Sequence, residues 1–107
     1  MLGRIIGRDF KIALDVGCGE GRFCRTISSL GIKTIGLDPT TVLVAHARQM
    51  DPKGDYRIGR AEKIDFPDAT FDLVVSYLSF IDIPDIGSAI LEMARVLRPA
   101  GLCWWQI

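Results

Sequence analysis

The feature that most constrains the fold is a set of three glycines at alternate positions, Gly17, Gly19 and Gly21. They directly follow a short apolar run, Ile12–Val16, which has the length and composition of a buried parallel strand. Glycine tolerates a positive φ and carries no Cβ, so a bend built from three glycines lets a ligand lie against the backbone. The pattern therefore predicts a strand, a tight ligand-binding turn and a helix.

Apolar runs and helical spacings alternate along the rest of the chain. Further strands are predicted over residues 34–38, 56–61, 71–78 and 102–107, and helices along positions 23/27/30, 43/47/50 and 86/90/93/97. This order predicts one α/β domain over residues 1–107, a three-layer αβα sandwich with a mostly parallel sheet of about five strands. In such sheets ligands bind beyond the carboxyl ends of the strands, where the strand order reverses.

Composition excludes several classes of function. The chain has 13 basic and 13 acidic residues, so broad attraction to nucleic acid or to a membrane surface is not expected. No apolar stretch approaches the ~20 residues of a membrane span. Cys18, Cys24 and Cys103 are an odd number without metal-type spacing, so we expect apolar packing rather than disulfides or a metal site. Together these observations favour a cytoplasmic protein.

Asp38 ends the second predicted strand, 21 positions after Gly17. A carboxylate at this distance from a glycine turn binds ribose hydroxyls in nucleotide-binding α/β domains, and we favour that role. The alternative is an aspartate that caps the next helix, whose start is marked by Pro39 and Thr40. A nucleotide-linked dehydrogenase is disfavoured, because the third glycine of its G-x-G-x-x-G fingerprint would fall on Arg22.

Four segments, in order along the chain, resemble motifs of the class I S-adenosylmethionine (SAM) dependent methyltransferases. They are residues 14–23 (LDVGCGEGRF), 35–39 (IGLDP), 61–76 (AEKIDFPDATFDLVVS) and 92–102 (EMARVLRPAGL). The resemblance is closest to the small-molecule branch that includes ubiquinone and menaquinone biosynthesis methyltransferases. It implies a Rossmann-like fold, SAM as cofactor, and methyl transfer to an unidentified, small-molecule acceptor.

For the methionine end of SAM, the resemblance implies roles for four residues. Asp15 would hold the glycine loop and reach the methionine amino group. Gly17 and Gly19 would lie against the methionine part, and Ser76 would pass near the sulfonium. We name no catalytic residue and no metal ligand.

For the adenosine end, the resemblance implies that Asp38 takes the ribose hydroxyls and that Pro39 or Thr40 flanks the adenine. Ala61 and Glu62 would contact the adenine edge, with the Ala61 backbone N–H as donor. The family often places an acid before this alanine to accept from the adenine amino group, whereas here the position is Arg60.

Full members of the family carry further strands after the fifth, so we expect this sheet to lack the C-terminal strands of the complete fold. An exposed sheet edge would then invite self-association. The alternative to a methyltransferase is a truncated or degenerate SAM-binding domain without catalytic activity, which acts as a binding or interaction module.

Overall fold

The computed structural model describes residues 9–77 and 83–106, the side chains of residues 77, 105 and 106 excepted. Within these ranges the chain forms β1 (Ile12–Val16), α1 (Arg22–Ser28), β2 (Lys33–Asp38), α2 (Thr41–Met50), β3 (Asp55–Ile58), β4 (Phe71–Tyr77), α3 (Ile86–Val96) and β5 (Leu97–Gln106). The strands form one sheet in the order β3-β2-β1-β4-β5, and the four pairings are parallel. The predicted α/β fold is confirmed. None of the helices in these ranges has the length and apolar character needed to cross a membrane.

The strand order reverses at β1. The chain first builds outward from β1 through β2 to β3, and then returns to place β4 on the other side of β1. The loop after β1 therefore leaves the sheet at the reversal point, where ligands bind in open parallel sheets.

Successive side chains of each strand point to opposite faces of the sheet and pack into two apolar layers. On one face Ala13 packs with Ile27 of α1, and α2 extends this face through Val44. On the other face Leu14 packs with Met93 of α3. The sheet is therefore covered on both faces, which explains why its strands are so apolar.

Two helices bury positions that differ from those predicted. The spacing indicated Leu43, Ala47 and Met50 as the buried face of α2. Ala47 is buried as predicted, but Leu43 and Met50 are 39% and 52% exposed, and Val44 is fully buried. Ile90 of α3 is likewise 38% exposed. Each helix contacts the sheet along a narrow stripe, so apolar residues beside that stripe stay at the surface.

The fifth strand starts earlier than predicted. It begins at Leu97 rather than at residue 102, so the prediction that Leu97 lies on the α3 face is wrong. Residues 99–101 lie inside the strand, where Ala100 has φ 66°. The cause is a contact at the last residue of α3: the Thr70 N–H donates to the Val96 carbonyl at 2.8 Å, which places the following residues beside β4.

The third strand is shorter than predicted. It ends at Ile58, so Ala61 lies in the loop that follows. The Gly59 N–H still donates to the Asp38 carbonyl at 3.0 Å, but the chain then turns away from the sheet edge. This turn packs Ala61 into the apolar layer beneath α3.

The packing of the glycine turn, α1 and β3 around β2 predicts the effect of a substitution at Gly36. A Cβ at this position would lie 2.9 Å from the sulfurs of Cys18 and Cys24 and from Cδ1 of Tyr56. Gly36→Ala should therefore lower the free energy of unfolding by about 1–3 kcal/mol, as overpacked cores do. Urea denaturation measures the change.

Gly87→Ala on α3 is the matched control, because a Cβ there meets only one side-chain oxygen, at 3.6 Å. Alanine favours the helix, so this variant should be more stable than the wild type by up to about 1 kcal/mol. Unchanged stability of Gly36→Ala would contradict the close packing described for β2.

Candidate cofactor-binding site

The glycine turn after β1 has the conformation predicted for it. Gly17, Gly19 and Gly21 have φ values of 78°, 56° and 86°. A Cβ at Gly19 would meet nothing within 4 Å, so this part of the turn presents bare backbone to open space. A Cβ at Gly21 would lie 2.6 Å from Cε1 of Tyr56, so the turn is tightly packed on its inner side.

A cleft of about 670 Å³ runs along this turn and the start of α1. Its volume is in the range of small-ligand sites. The cleft brings together three predicted site residues, Asp15, Gly17 and Gly19. The remaining lining residues are Cys18, Glu20, Arg22, Phe23 and Thr26. Sequence reasoning gave Arg22 no functional role, although its place directly after the third glycine could have indicated one.

Asp38 lies beside the cleft and is 7% exposed. Its Oδ2 accepts from the Gly19 N–H and its Oδ1 from the Thr40 N–H, both at 2.9 Å. Thr40 is the N-cap residue of α2, so this bond closes a turn just before the helix and does not cap the N–H groups of the helix itself, the alternative role considered above. Each carboxylate oxygen has a second lone pair, so the same group can still accept from hydroxyls. Pro39, which follows, is exposed.

Asp15 is buried, and its Oδ2 accepts from the Cys24 thiol at 3.4 Å. The glycine loop is bonded by the Leu37 carbonyl, which accepts from the N–H groups of Gly17 and Cys18 at 2.7 and 3.0 Å. The role of Asp15 in holding this loop and reaching the methionine amino group stays a prediction. Strand alternation points the Asp15 side chain toward α1, which explains its partner.

Burial raises the pKa of Asp15 to about 7, and the negative charge of Asp38 adds to the rise, while the hydrogen bond from Cys24 opposes it. A carboxyl group that titrates near neutrality beside a cleft is typical of a functional site. A cation bound in the cleft would favour the charged form of Asp15.

Ala61 and Glu62 lie in the loop between β3 and β4. The Ala61 N–H makes no hydrogen bond within the described part of the chain, although the residue is only 7% exposed. Glu62 is paired with Arg60, whose Nη2 lies 3.1 Å from Glu62 Oε2. Within the described residues the Ala61 N–H is therefore without a protein partner, whereas the Glu62 carboxylate is paired.

Ser76 is fully buried, and its hydroxyl donates to the Val16 carbonyl at 2.7 Å. The bond joins the ends of β1 and β4 at the reversal point of the sheet. Its predicted position near a sulfonium stays a prediction.

Residues 14–105 match the protein family described as a methyltransferase domain. The chain belongs to this family. The methyltransferase domain is 37% identical over 91 residues to malonyl-[acyl-carrier protein] O-methyltransferase of Yersinia pestis. It is 36% identical over 93 residues to a ubiquinone biosynthesis O-methyltransferase of Bradyrhizobium sp. (strain ORS 278). The family predicted from the four motifs is confirmed.

Solved structures agree with this assignment. The domain superposes on the PH0226 protein of Pyrococcus horikoshii OT3 with a TM-score of 0.88 at 26% identity, and on an S-adenosylmethionine dependent methyltransferase of Mesorhizobium loti with 0.77 at 29%. It aligns over 95% and 89% of its own length but covers only 50% and 45% of those chains. For the two curated relatives the alignments take in 85% and 83% of this chain and 34% and 36% of theirs. The chain thus spans about a third of these relatives and about half of these structures.

The raised pKa of Asp15 predicts how stability depends on pH. The folded state binds this proton more tightly than the unfolded state, whose Asp pKa is near 3.8. The contribution of Asp15 therefore lowers the free energy of unfolding as pH rises from about 4 to about 7, by on the order of 4 kcal/mol, and then levels off.

The Asp15→Asn side chain stays neutral at every pH, so the variant lacks this pH-dependent contribution to the free energy of unfolding. The stability of the variant relative to the wild type, measured by urea denaturation at several pH values, should increase between pH 4 and pH 7. A difference that does not change with pH would show that Asp15 titrates normally.

Proposed function

We propose that this domain binds SAM in the cleft along the glycine turn and contributes to methyl transfer to a small-molecule acceptor. The observation that carries the proposal is the Asp38 carboxylate, which is hydrogen-bonded directly to the Gly19 N–H of the turn. Asp38, the candidate for ribose binding, therefore lies at the same end of the sheet as the glycine turn, which presents bare backbone. Membership of the methyltransferase domain family supports the same function.

The residues present fit the cofactor. The open space at Gly19 leaves room for a ligand against the backbone, and Asp15 offers a carboxylate for the methionine ammonium. Asp38 would bind the ribose hydroxyls, Pro39 would flank the adenine, and the free N–H of Ala61 would face its edge.

When bound, SAM supplies a methyl group on a sulfonium, which is already a good leaving group. The protein must therefore mainly position the acceptor against the methyl, and an acid–base pair is less important. The relative named as a ubiquinone biosynthesis O-methyltransferase supports a small-molecule acceptor. Because this chain spans about a third of the two curated relatives, the competing function is SAM binding without turnover.

Titration calorimetry with SAM, S-adenosylhomocysteine and NAD tests the cofactor assignment. The wild type should bind the first two and not NAD. Asp38→Ala should weaken S-adenosylhomocysteine binding by about 1.5–3 kcal/mol, roughly 10- to 150-fold in Kd, because it removes hydrogen bonds to a charged group.

Asp72→Ala is the matched control. The Asp72 carboxylate also accepts two backbone N–H groups, from Lys11 at 2.9 Å and Ile12 at 3.1 Å, but at the amino end of β1. This variant should lose stability and keep the wild-type Kd. Equal affinity of Asp38→Ala and the wild type would contradict the ribose assignment. Cofactor binding without turnover on a broad acceptor panel would favour the competing function.

We also infer a cytoplasmic location and self-association through β5. The free thiols of Cys18, Cys24 and Cys103 in the described residues support a reducing compartment. Among the described strands β5 lies at one end of the sheet and pairs with β4, and a strand in this position can pair with another chain.

Sedimentation velocity across a wide concentration range tests the self-association. We expect a dimer or larger species that grows with concentration. A monomer at every concentration would contradict it.

A further inference from the structure

Two side chains of α3, Glu92 and Arg95, bind the loop between β3 and β4 (residues 59–70). They lie one helical turn apart, and Arg95 Nε is 2.6 Å from Glu92 Oε2. Both lie in the segment that resembles a family motif, residues 92–102. The loop they bind carries Ala61 and Glu62.

Most of these bonds go to loop backbone. Arg95 donates through Nη2 to the Ile64 carbonyl at 2.7 Å and through Nη1 to the Phe66 carbonyl at 2.8 Å. Nη1 also donates to Asp68 Oδ1 at 2.8 Å, and Glu92 Oε1 accepts from the Ile64 N–H at 2.9 Å. Both backbone polar groups of Ile64 are therefore held by α3, which fixes the orientation of the loop at this residue.

The other end of the segment is held by β2. The Gly59 N–H donates to the Asp38 carbonyl at 3.0 Å. Ala61 and Glu62 thus lie between two anchors, one at Gly59 and one at Ile64, whose side chain is only 2% exposed. Without the second anchor the backbone around Ala61 would gain conformational freedom.

A purely stabilising role explains this network less well. Partly exposed ion pairs contribute little to stability by themselves. Here the two charged groups direct three bonds at the backbone of one short segment, three to five residues from a free N–H at Ala61.

We propose that Glu92 and Arg95 are positioning residues for the adenine end of the cofactor: they hold the loop so that the Ala61 N–H faces the base. The inference rests on the proposed SAM binding. It assigns no contact between either residue and the cofactor.

Base discrimination tests the proposal. The N1 atom of adenine accepts a hydrogen bond, whereas N1 of hypoxanthine carries a proton and would oppose a backbone donor. The wild type should bind S-adenosylhomocysteine at least about tenfold more tightly than S-inosylhomocysteine. In Arg95→Met the ratio of the two Kd values should fall toward one, because Ala61 is no longer held in place.

The ratio of the two Kd values distinguishes a positioning role from a loss of stability, because a smaller folded fraction raises both apparent Kd values by the same factor. Asp85→Ala is the control: Asp85 caps the same helix by accepting from the Ser88 N–H at 3.1 Å, and it is not bonded to the loop. This variant should have a lower unfolding temperature and an unchanged ratio. Glu92→Gln keeps an acceptor for the Ile64 N–H and should retain part of the discrimination.

Hydrogen exchange of the ligand-free protein gives a second readout. The Ile64 amide should exchange at least about tenfold faster in Arg95→Met than in Asp85→Ala. If Arg95→Met keeps the wild-type ratio, or if the wild type binds both ligands equally, the positioning role is wrong and SAM binding stands. If the wild type binds neither ligand, both proposals fail.

Discussion

The site depends on the hydrogen bonds of one residue, Asp38. Its carboxylate bonds the Gly19 N–H of the turn after β1 and the Thr40 N–H at the start of α2, and its carbonyl accepts from the Gly59 N–H. Three segments that are distant in sequence are thereby fixed at the carboxyl end of the sheet. Because a carboxylate has lone pairs to spare, the residue that organises the loops can also bind a ligand.

Asp15 lowers the stability of the folded state, and the fold itself does not require a carboxyl group at this position. A carboxyl group buried beneath the cleft, with its pKa raised to about 7, destabilises the folded state at neutral pH. An apolar residue would pack between β1 and α1 without this penalty. The charge is useful when a cation occupies the cleft, and the positively charged ammonium and sulfonium of SAM fit that requirement.

Much of the fold could be predicted from the sequence, because buried parallel strands and the glycine turn have strong local signals. The bounds of β1 and the order of the elements follow directly from apolar runs. The exposed positions of Leu43, Met50 and Ile90 did not follow, since they depend on how much of each helix the sheet covers. The early start of β5 also depends on a tertiary contact, the bond from Thr70 to Val96.

The site was predictable where one residue type has one geometric role. Glycines with positive φ and an acid at the end of β2 are of this kind. The Cys24 partner of Asp15 and the loop contacts of Arg95 were not, because a thiol or a guanidinium in a helix has many possible partners. Only the packing of α1 and α3 selects among them.

An NMR titration of the amide resonances with S-adenosylhomocysteine tests the central claim most directly, because it locates the ligand on the sheet. The largest shifts should fall on Gly19, Glu20, Asp38 and Ala61, with Arg98, Ala100 and Gly101 at the amino end of β5 unaffected. Shifts centred on the amino end, or no shifts at saturating ligand, would contradict a cofactor site between the glycine turn and Asp38.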